Sequence, residues 1–281
     1  MKQSFLKLLA KIFIPNKNLR TKIKNRINFS YLYPIKTYPL LLKRTLGIDY
    51  SFNKEKHSEK VVYTVITNRY NNLAPLLFYQ KDWDYICFTN DENLIKNGHK
   101  FWQIQPLNQF DLDSNKLSRL PKILAHKFLS EYKYSLYIDG NIDIISNELF
   151  DKADKLIKSE TKLAITKHFK RNCIYDEFEA CKKSKKDCIE KMSEQIQIFQ
   201  KKGFPFHYGL KENSIILRQH NNKEIIKLME QWWFWVEKFS KRDQLSLMFV
   251  LWENNYKNVP DIMNKPAKFC HNDLIFKGHN K

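Results

Sequence analysis

The sequence predicts an α/β fold built on a Rossmann-type, mostly parallel sheet flanked by helices, and three observations carry that expectation. Short β-branched and aromatic runs alternate with longer segments of helical periodicity. The strand-like runs end in polar residues, as interior strands do when their carboxyl ends open onto a ligand site. The chain has 281 residues, 43% of them hydrophobic, enough for one sizeable core with an appendage.

Residues 61–67 (VVYTVIT) and 84–89 (DYICFT) read as interior strands, and 136–138, 162–166 and 214–217 as further ones. Between them helical patterns run over about 72–79, 117–129, 147–158, 174–201 and 223–239, and a polar start at 241 leads into an apolar helix reaching Trp252. Trp232, Trp233 and Trp235 read as core. The stretch before Val61, with Pro34, Pro39, Gly47 and SFNKEKHSEK, is the best linker. The division is therefore a basic amino-terminal extension over 1–58 and a main domain over 59–281.

Charge is concentrated in that extension. Residues 1–60 hold fourteen Lys or Arg and three acids, or +11 of the chain's +19, and no acid precedes Arg44. Such a segment is drawn to anionic lipid or nucleic acid. Phe5, Leu6, Leu8, Leu9, Ile12 and Phe13 with Lys2, Lys7 and Lys11 form an amphipathic pattern stopped near Pro15. It suits a helix lying on a bilayer or packing on the main domain. Its apolar run is far short of the ~20 residues of a spanning helix, so peripheral membrane contact is the most it implies. Five cysteines without Cys-x-x-Cys pairs fit a reducing, cytoplasmic location. Cys173, Cys181 and Cys188 lie at near-helical repeats and read as packing residues.

The stretch YSLYIDGNIDI says most about chemistry. An apolar strand runs into Asp139, Asn141 and Asp143, oxygen-bearing side chains at every second position. Carboxylates at the end of a buried strand are costly unless compensated, and a hard divalent cation is one compensation. Asp-Gly-Asn is also good turn chemistry, so this segment alone leaves both readings open. Arg119, Lys122 and His126 share one face of the preceding helix, where a cation can pair with Asp139 or meet a phosphate. The loop GFPFHYGLKEN, with two glycines, a proline and aromatics, suits either a sugar-lining wall or a core plug. Asp243 suits a helix cap or a group that holds an acceptor hydroxyl.

The blocks YTVITNRYNNL, DYICFTN, RLPKILAHKFL, YSLYIDGNIDI, KHFKRNCIYDE, GFPFHYGLKENSIILR, WW and KRDQLSL, in that order over about 61–252, resemble the glycosyltransferase-like family called domain of unknown function 616. That family is similar to GT-A transferases, notably family 8. The resemblance implies a GT-A-like fold and a nucleotide-sugar donor whose pyrophosphate is held by Mn²⁺ or Mg²⁺ at an Asp-x-Asp-type element. Asp139 then takes the first aspartate and Asn141 replaces the second, so Asp143 helps or metal dependence relaxes. Tyr63, Thr64 and Asn68 would face the nucleotide, with Arg119 and Lys122 on the donor side. His207, Gly209 and Asn213 would border the acceptor, and Arg242, Asp243 and Gln244 would lie near the reacting sugar. Asp243 is the residue expected to orient or deprotonate the acceptor hydroxyl, and His207 the expected third metal ligand, with His271 its rival.

The expected function is a metal-dependent, hexosyltransferase-like enzyme acting on a glycan or lipid-linked acceptor in surface polysaccharide or lipooligosaccharide synthesis, at the inner face of the cell membrane. An inactive transferase-like scaffold, kept open by Asn141, and a basic module for nucleic acid or another anionic surface are the alternatives. No zinc-finger spacing, RNP-like strand or helix-turn-helix supports specific nucleic-acid binding.

Overall fold

A computed structural model of the chain describes residues 58–68, 73, 76–107, 112–270 and 273–277. Residues 1–57 of the amino-terminal extension and His271 lie outside these residues. The strands are β1 (Lys60–Ile66), β2 (Asp84–Thr89), β3 (Gln103–Pro106), β4 (Tyr134–Ile138), β5 (Ile142–Ile144), β6 (Leu163–Lys167), β7 (Lys211–Arg218) and β8 (Leu274–Phe276). Six of them form one sheet in the order β3-β2-β1-β4-β7-β6, and β5 pairs with β8 in a separate two-stranded sheet. Strands β3, β2, β1 and β4 are mutually parallel, while β7 runs antiparallel to both β4 and β6. The predicted α/β class with a mainly parallel sheet is what the chain adopts.

This order positions the site. From β1 the chain winds outward through β2 and β3, then returns to set β4 on the other side of β1. The carboxyl ends of β1 and β4 flank the point where winding reverses, and open α/β sheets bind ligands in the crevice that forms there.

Helices cover both faces, which is why β1 and β2 are apolar along nearly their whole length. The helices are α1 (Glu92–Asn97), α2 (Ser114–Ile123), α3 (Ala125–Phe128), α4 (Glu148–Lys158), α5 (Ile174–Lys183), α6 (Ile189–Lys201), α7 (Lys223–Lys238) and α8 (Leu247–Glu253), with short 3-10 turns at Asp243–Leu245 and Ala267–Phe269. On one face Tyr63, Val65, Tyr137 and Ile216 pack with residues of α2, α5, α6, α7 and α8. On the other, Val62, Ile66, Ile138 and Leu217 pack with Leu149, Phe150 and Ala153 of α4 and with Ile262 and Met263. No helix among the described residues is long and apolar enough to cross a membrane.

Several expected helices are corrected. The 117–129 pattern is α2 and α3 with a break at Leu124, which has non-helical ψ 46. The 174–201 pattern breaks after Lys183, where Lys185 takes a left-handed φ of 47. Asp187 then ties the link down by accepting from Ser240 Oγ (2.7 Å) and Lys241 N (2.8 Å). Over 72–79 the described residues are not helical. The apolar helix expected from 241 starts only at Leu247, after the Asp243–Leu245 turn. All five cysteines are unpaired thiols. Cys188 is exposed, with Sγ 2.9 Å from Glu190 Oε2, so it is not the packing residue the repeat suggested.

Candidate active site

Lys122 is the centre of the arrangement. Its apolar neighbours Leu120, Pro121 and Ile123 bury the last turn of α2 and leave the Lys122 side chain 5% exposed. A buried ammonium needs anions, and two meet it: Asp243 Oδ2 at 2.7 Å and Asp139 Oδ1 at 3.4 Å. Its Nζ also lies 4.9 Å from the centre of the Tyr137 ring. Burial alone would raise the Asp243 carboxyl, but Lys122, Arg119 and Arg242 outweigh it and hold the group below the ordinary carboxylate range. Asp243 therefore serves as an ion-pairing anion, and its side chain caps no helix.

A fully buried scaffold fixes the end of α2. Arg218, at the end of β7, donates to the carbonyls of Ile123 (3.0 Å) and Lys122 (2.5 Å) and to the Tyr63 hydroxyl. Tyr63 donates onward to the Lys122 carbonyl at 3.0 Å. Its phenol is pushed up to about 12 by burial, which the Arg218 charge only partly offsets. The expectation that Tyr63 faces a nucleotide is corrected: the residue is 0% exposed, because odd-numbered β1 residues point to the face packed by α2, α5, α6, α7 and α8. Thr64, one residue on, points the other way. It lines a narrow cleft with Ile138, Asp139, Gly140, Ile142 and Asp143, and its buried hydroxyl has no hydrogen-bond partner.

Asp139 follows β4, its side chain 37% exposed, with Oδ1 accepting from the Tyr137 hydroxyl at 2.7 Å. Burial and the Asp139 charge together keep the Tyr137 phenol far above its usual range, so it stays a donor. Asn141 donates Nδ2 to the Lys277 carbonyl (3.2 Å). Asp143, expected to assist Asp139, lines the same cleft but pairs with Lys277 Nζ at 2.9 Å, because the antiparallel pairing of β5 with β8 brings the residue after β8 beside it. Asn68, at the end of β1 with a left-handed φ of 50, exchanges hydrogen bonds with Asn90 (2.8 and 2.7 Å). Arg119 is half-buried with Nε unpartnered, and its charge reaches Asp243 and Tyr137. His126 joins Glu230 of α7 at 3.0 Å and not the Lys122 cluster.

The network continues past Asp243. Arg242 binds Gln244 Oε1 at 2.9 Å and lies 3.8 Å from Glu177, a carboxylate 3% exposed. Glu177 is held chiefly by Arg171 at 2.6 Å. Burial, with Arg171 and Arg242 nearby, lowers His168 despite the opposing pull of Glu177, so its 3.9 Å approach to Glu177 is no ion pair at neutral pH. Charges thus alternate from Asp139 through Lys122, Asp243 and Arg242 to Glu177 and Arg171. In sequence Glu177 is only the last residue of the KHFKRNCIYDE block, and neither it nor Arg218 is among the expected site residues. An arginine closing the apolar run SIILR is the signal that marks Arg218.

The acceptor-side candidates divide. Asn213 is 2% exposed at the start of β7, beside Ser214, whose carbonyl accepts from Asp139 N at 2.9 Å. Neither polar atom of the Asn213 amide has a partner. Gly209 has a φ of 112, which favours glycine, and donates its N–H to the Asn172 carbonyl at 2.9 Å. His207, expected to complete the set around Asp139, instead pairs a ring nitrogen with Asn172 Oδ1 at 3.0 Å. It also groups with Cys173 and Asp176, ligand-type atoms of the three lying within 4.8 Å of one another.

A buried cation between two carboxylates, at the reversal point of a mainly parallel sheet, defines a glycosyltransferase-like α/β domain once the relatives are set beside it. Residues 86–272, about two thirds of the chain, match the TOD1/MUCI70 glycosyltransferase-like domain, and the chain belongs to that family. It is 28% identical over 147 residues to a protein of Arabidopsis thaliana named probable hexosyltransferase MUCI70, covering 49% of this chain and 25% of that one. It is 25% identical over 141 residues to a second Arabidopsis thaliana protein, named alkaline ceramidase TOD1, covering 47% and 30%. The chain thus spans under a third of either relative. Mouse xyloside xylosyltransferase 1 in its apo form superposes with a TM-score of 0.38 at 11% identity, covering 71% of this chain and 83% of that one, a likeness weak enough that the fold stands on its sheet topology alone.

Proposed function

We propose that the domain transfers a hexose from a nucleotide-sugar donor to a glycan or lipid-linked acceptor, with the donor's diphosphate at the carboxyl ends of β1 and β4. The single observation behind this reading is the burial of Lys122 between Asp139 and Asp243 at that point of the sheet. Breaking a glycosyl–phosphate bond sends an electron pair to the diphosphate and leaves positive charge at the anomeric carbon. Fixed cations stabilise the first and fixed anions the second. Lys122 and half-buried Arg119 are the cations, and Asp243, kept ionised by its neighbours, is a standing anion better suited to orienting an acceptor hydroxyl than to taking its proton. The unpartnered Thr64 hydroxyl and Asn213 amide fit a ligand rich in hydroxyls.

A divalent cation fits part of the donor set. Asp139 Oδ2 and Asn141 Oδ1 are the oxygens that would hold Mn²⁺ or Mg²⁺, while Asp143 is engaged by Lys277. Bound there, such an ion would neutralise charge on the departing diphosphate. The basic segment over 1–44 would bring the domain to the inner membrane face for surface-polysaccharide or lipooligosaccharide synthesis; unchanged membrane recovery after deleting residues 1–30 would exclude this anchor.

Thermal-shift binding of UDP, GDP and CMP, with and without Mn²⁺, tests the donor site. A nucleotide should stabilise the wild type and fail to stabilise Asp139→Ala. If every nucleotide ignores that substitution, the reading fails. Ceramide amide hydrolysis, suggested by the second Arabidopsis relative, is the activity to assay in that event.

A further inference from the structure

We propose a second metal site, separate from the Asp139 cleft, in which Cys173 Sγ, an Asp176 carboxylate oxygen and a His207 ring nitrogen bind a borderline-soft divalent transition metal such as Zn²⁺. These atoms already lie within 4.8 Å of one another. Ligands on a tetrahedral zinc are separated by about 3.3–3.8 Å, given bonds of about 2.0–2.3 Å, so small rotamer shifts close the site. Thiolate and imidazole select zinc-like ions over Mg²⁺, whose partners are oxygens. The two sites therefore differ in the metals they favour.

Three further features support it. His207 Nδ1 is held by Asn172 Oδ1 at 3.0 Å, the outer contact that metal-bound histidines commonly make, leaving Nε2 to bind an ion. His207 sits at a left-handed φ of 55, a conformation that non-glycine residues hold against a cost and that concentrates at ligand-binding positions. Cys173 occupies the N-cap of α5 without capping it through its side chain, so its sulfur is not spent on the helix end. With an ion bound, the Asp176 carboxylate and the metal-bound Cys173 thiolate would together offset the cation's repulsion by that same helix end.

Such an ion would clamp the loop carrying His207 to α5. The loop is already docked there by the Tyr175 hydroxyl on the Phe204 carbonyl (2.7 Å) and by Phe206, 64% exposed, packed 4.3 Å from the Tyr175 ring. The metal would thereby fix the aromatic rim of the acceptor side.

The test is Zn²⁺ titration of the metal-stripped full-length chain against a chromophoric chelator. One equivalent should bind, and His207→Gly and Asp176→Asn should each weaken it by about tenfold or more. Co²⁺ should give a thiolate charge-transfer band that Cys173→Ser abolishes. Asp139→Ala should retain the Zn²⁺, so failure of the donor-site reading would leave this one standing. The proposal is overturned if the wild type takes up no stoichiometric Zn²⁺, if Asp139→Ala loses it, or if both surface variants bind it as tightly as wild type. Should Cys173→Ser not fold, the two surface variants decide.

Discussion

The Arg218 guanidinium, fully enclosed by the core, donates to the main-chain carbonyl of Lys122, so a residue of β7 sets where the site's ammonium begins. Burial lowers the Arg218 pKa, only partly opposed by Tyr63 and Tyr137, yet its two terminal nitrogens donate to two carbonyls and a phenol, while Nε has no partner. Arg218→Met would strip those partners of their donor. With each unsatisfied buried group worth about 1–3 kcal/mol, urea unfolding should show a loss of about 3 kcal/mol or more. Arg218→Lys should recover only part of it, since an ammonium lacks the planar fork.

Lys122 and Asp243 form a buried pair, and breaking such a pair from one side is worse than removing it whole. Lys122→Met should cost about 3–5 kcal/mol by leaving Asp243 without its nearest cation. Asp243→Asn in the same chain should restore part of that loss. A double-mutant cycle by urea unfolding checks this; strict additivity of the two substitutions would show that the contact does not couple them.

His220 supplies an acid-side liability. It is 1% exposed, Nε2 donates to the Leu129 carbonyl at 2.7 Å, and the buried Nδ1 has no partner, so protonation would place a charge in the core. Burial, reinforced by the Arg218 charge, brings its pKa down to about 4 from 6.5. Between those values the unfolded chain binds a proton that the folded one refuses, so stability is complete above 6.5 and declines as pH falls toward 4. At about 1.4 kcal/mol per unit the full loss is about 3 kcal/mol. The pH dependence of urea midpoints should flatten in this window for His220→Gln. Asp243, whose pKa is lowered, adds a loss of the same sign at still lower pH, where it protonates.

How far the sequence revealed this molecule depended on where each residue's partners lie along the chain. Strand β2 was legible to the residue, since burial on both faces leaves a continuous β-branched and aromatic run. Strand β3 was not: it is a half-exposed edge ending in Pro106, with no apolar pattern to find. Helix α1 buries nothing, although Asp91 and Gly98 bracket it with an N-cap and a left-handed C-cap that could have been read. In the site, Lys122, Asp139 and Asp243 were each singled out, and the fold sets the first against the other two. Tyr63, in the middle of β1, was misjudged because an aromatic in a strand looks the same in sequence whether it points at a ligand or at an arginine 155 residues away.

Glu177 is that problem in its sharpest form, a helix-surface acid by spacing that the fold makes the buried anchor of Arg171 and the neighbour of Arg242. Glu177→Gln keeps the shape and removes the charge, leaving two half-buried guanidinium groups with a neutral partner. Hydrogen bonds to charged groups are worth about 1.5–3 kcal/mol, so a loss of about 2 kcal/mol in urea unfolding is expected. His168 approaches the same Glu177 oxygen as Arg171, at 3.9 Å, and that carboxylate is the largest influence raising an imidazole otherwise lowered by burial, Arg171 and Arg242. Its pKa should therefore fall further in Glu177→Gln, moving the His168 titration followed by NMR to lower pH. An unshifted titration would mean that Glu177 does not set the field at this end of the charge network.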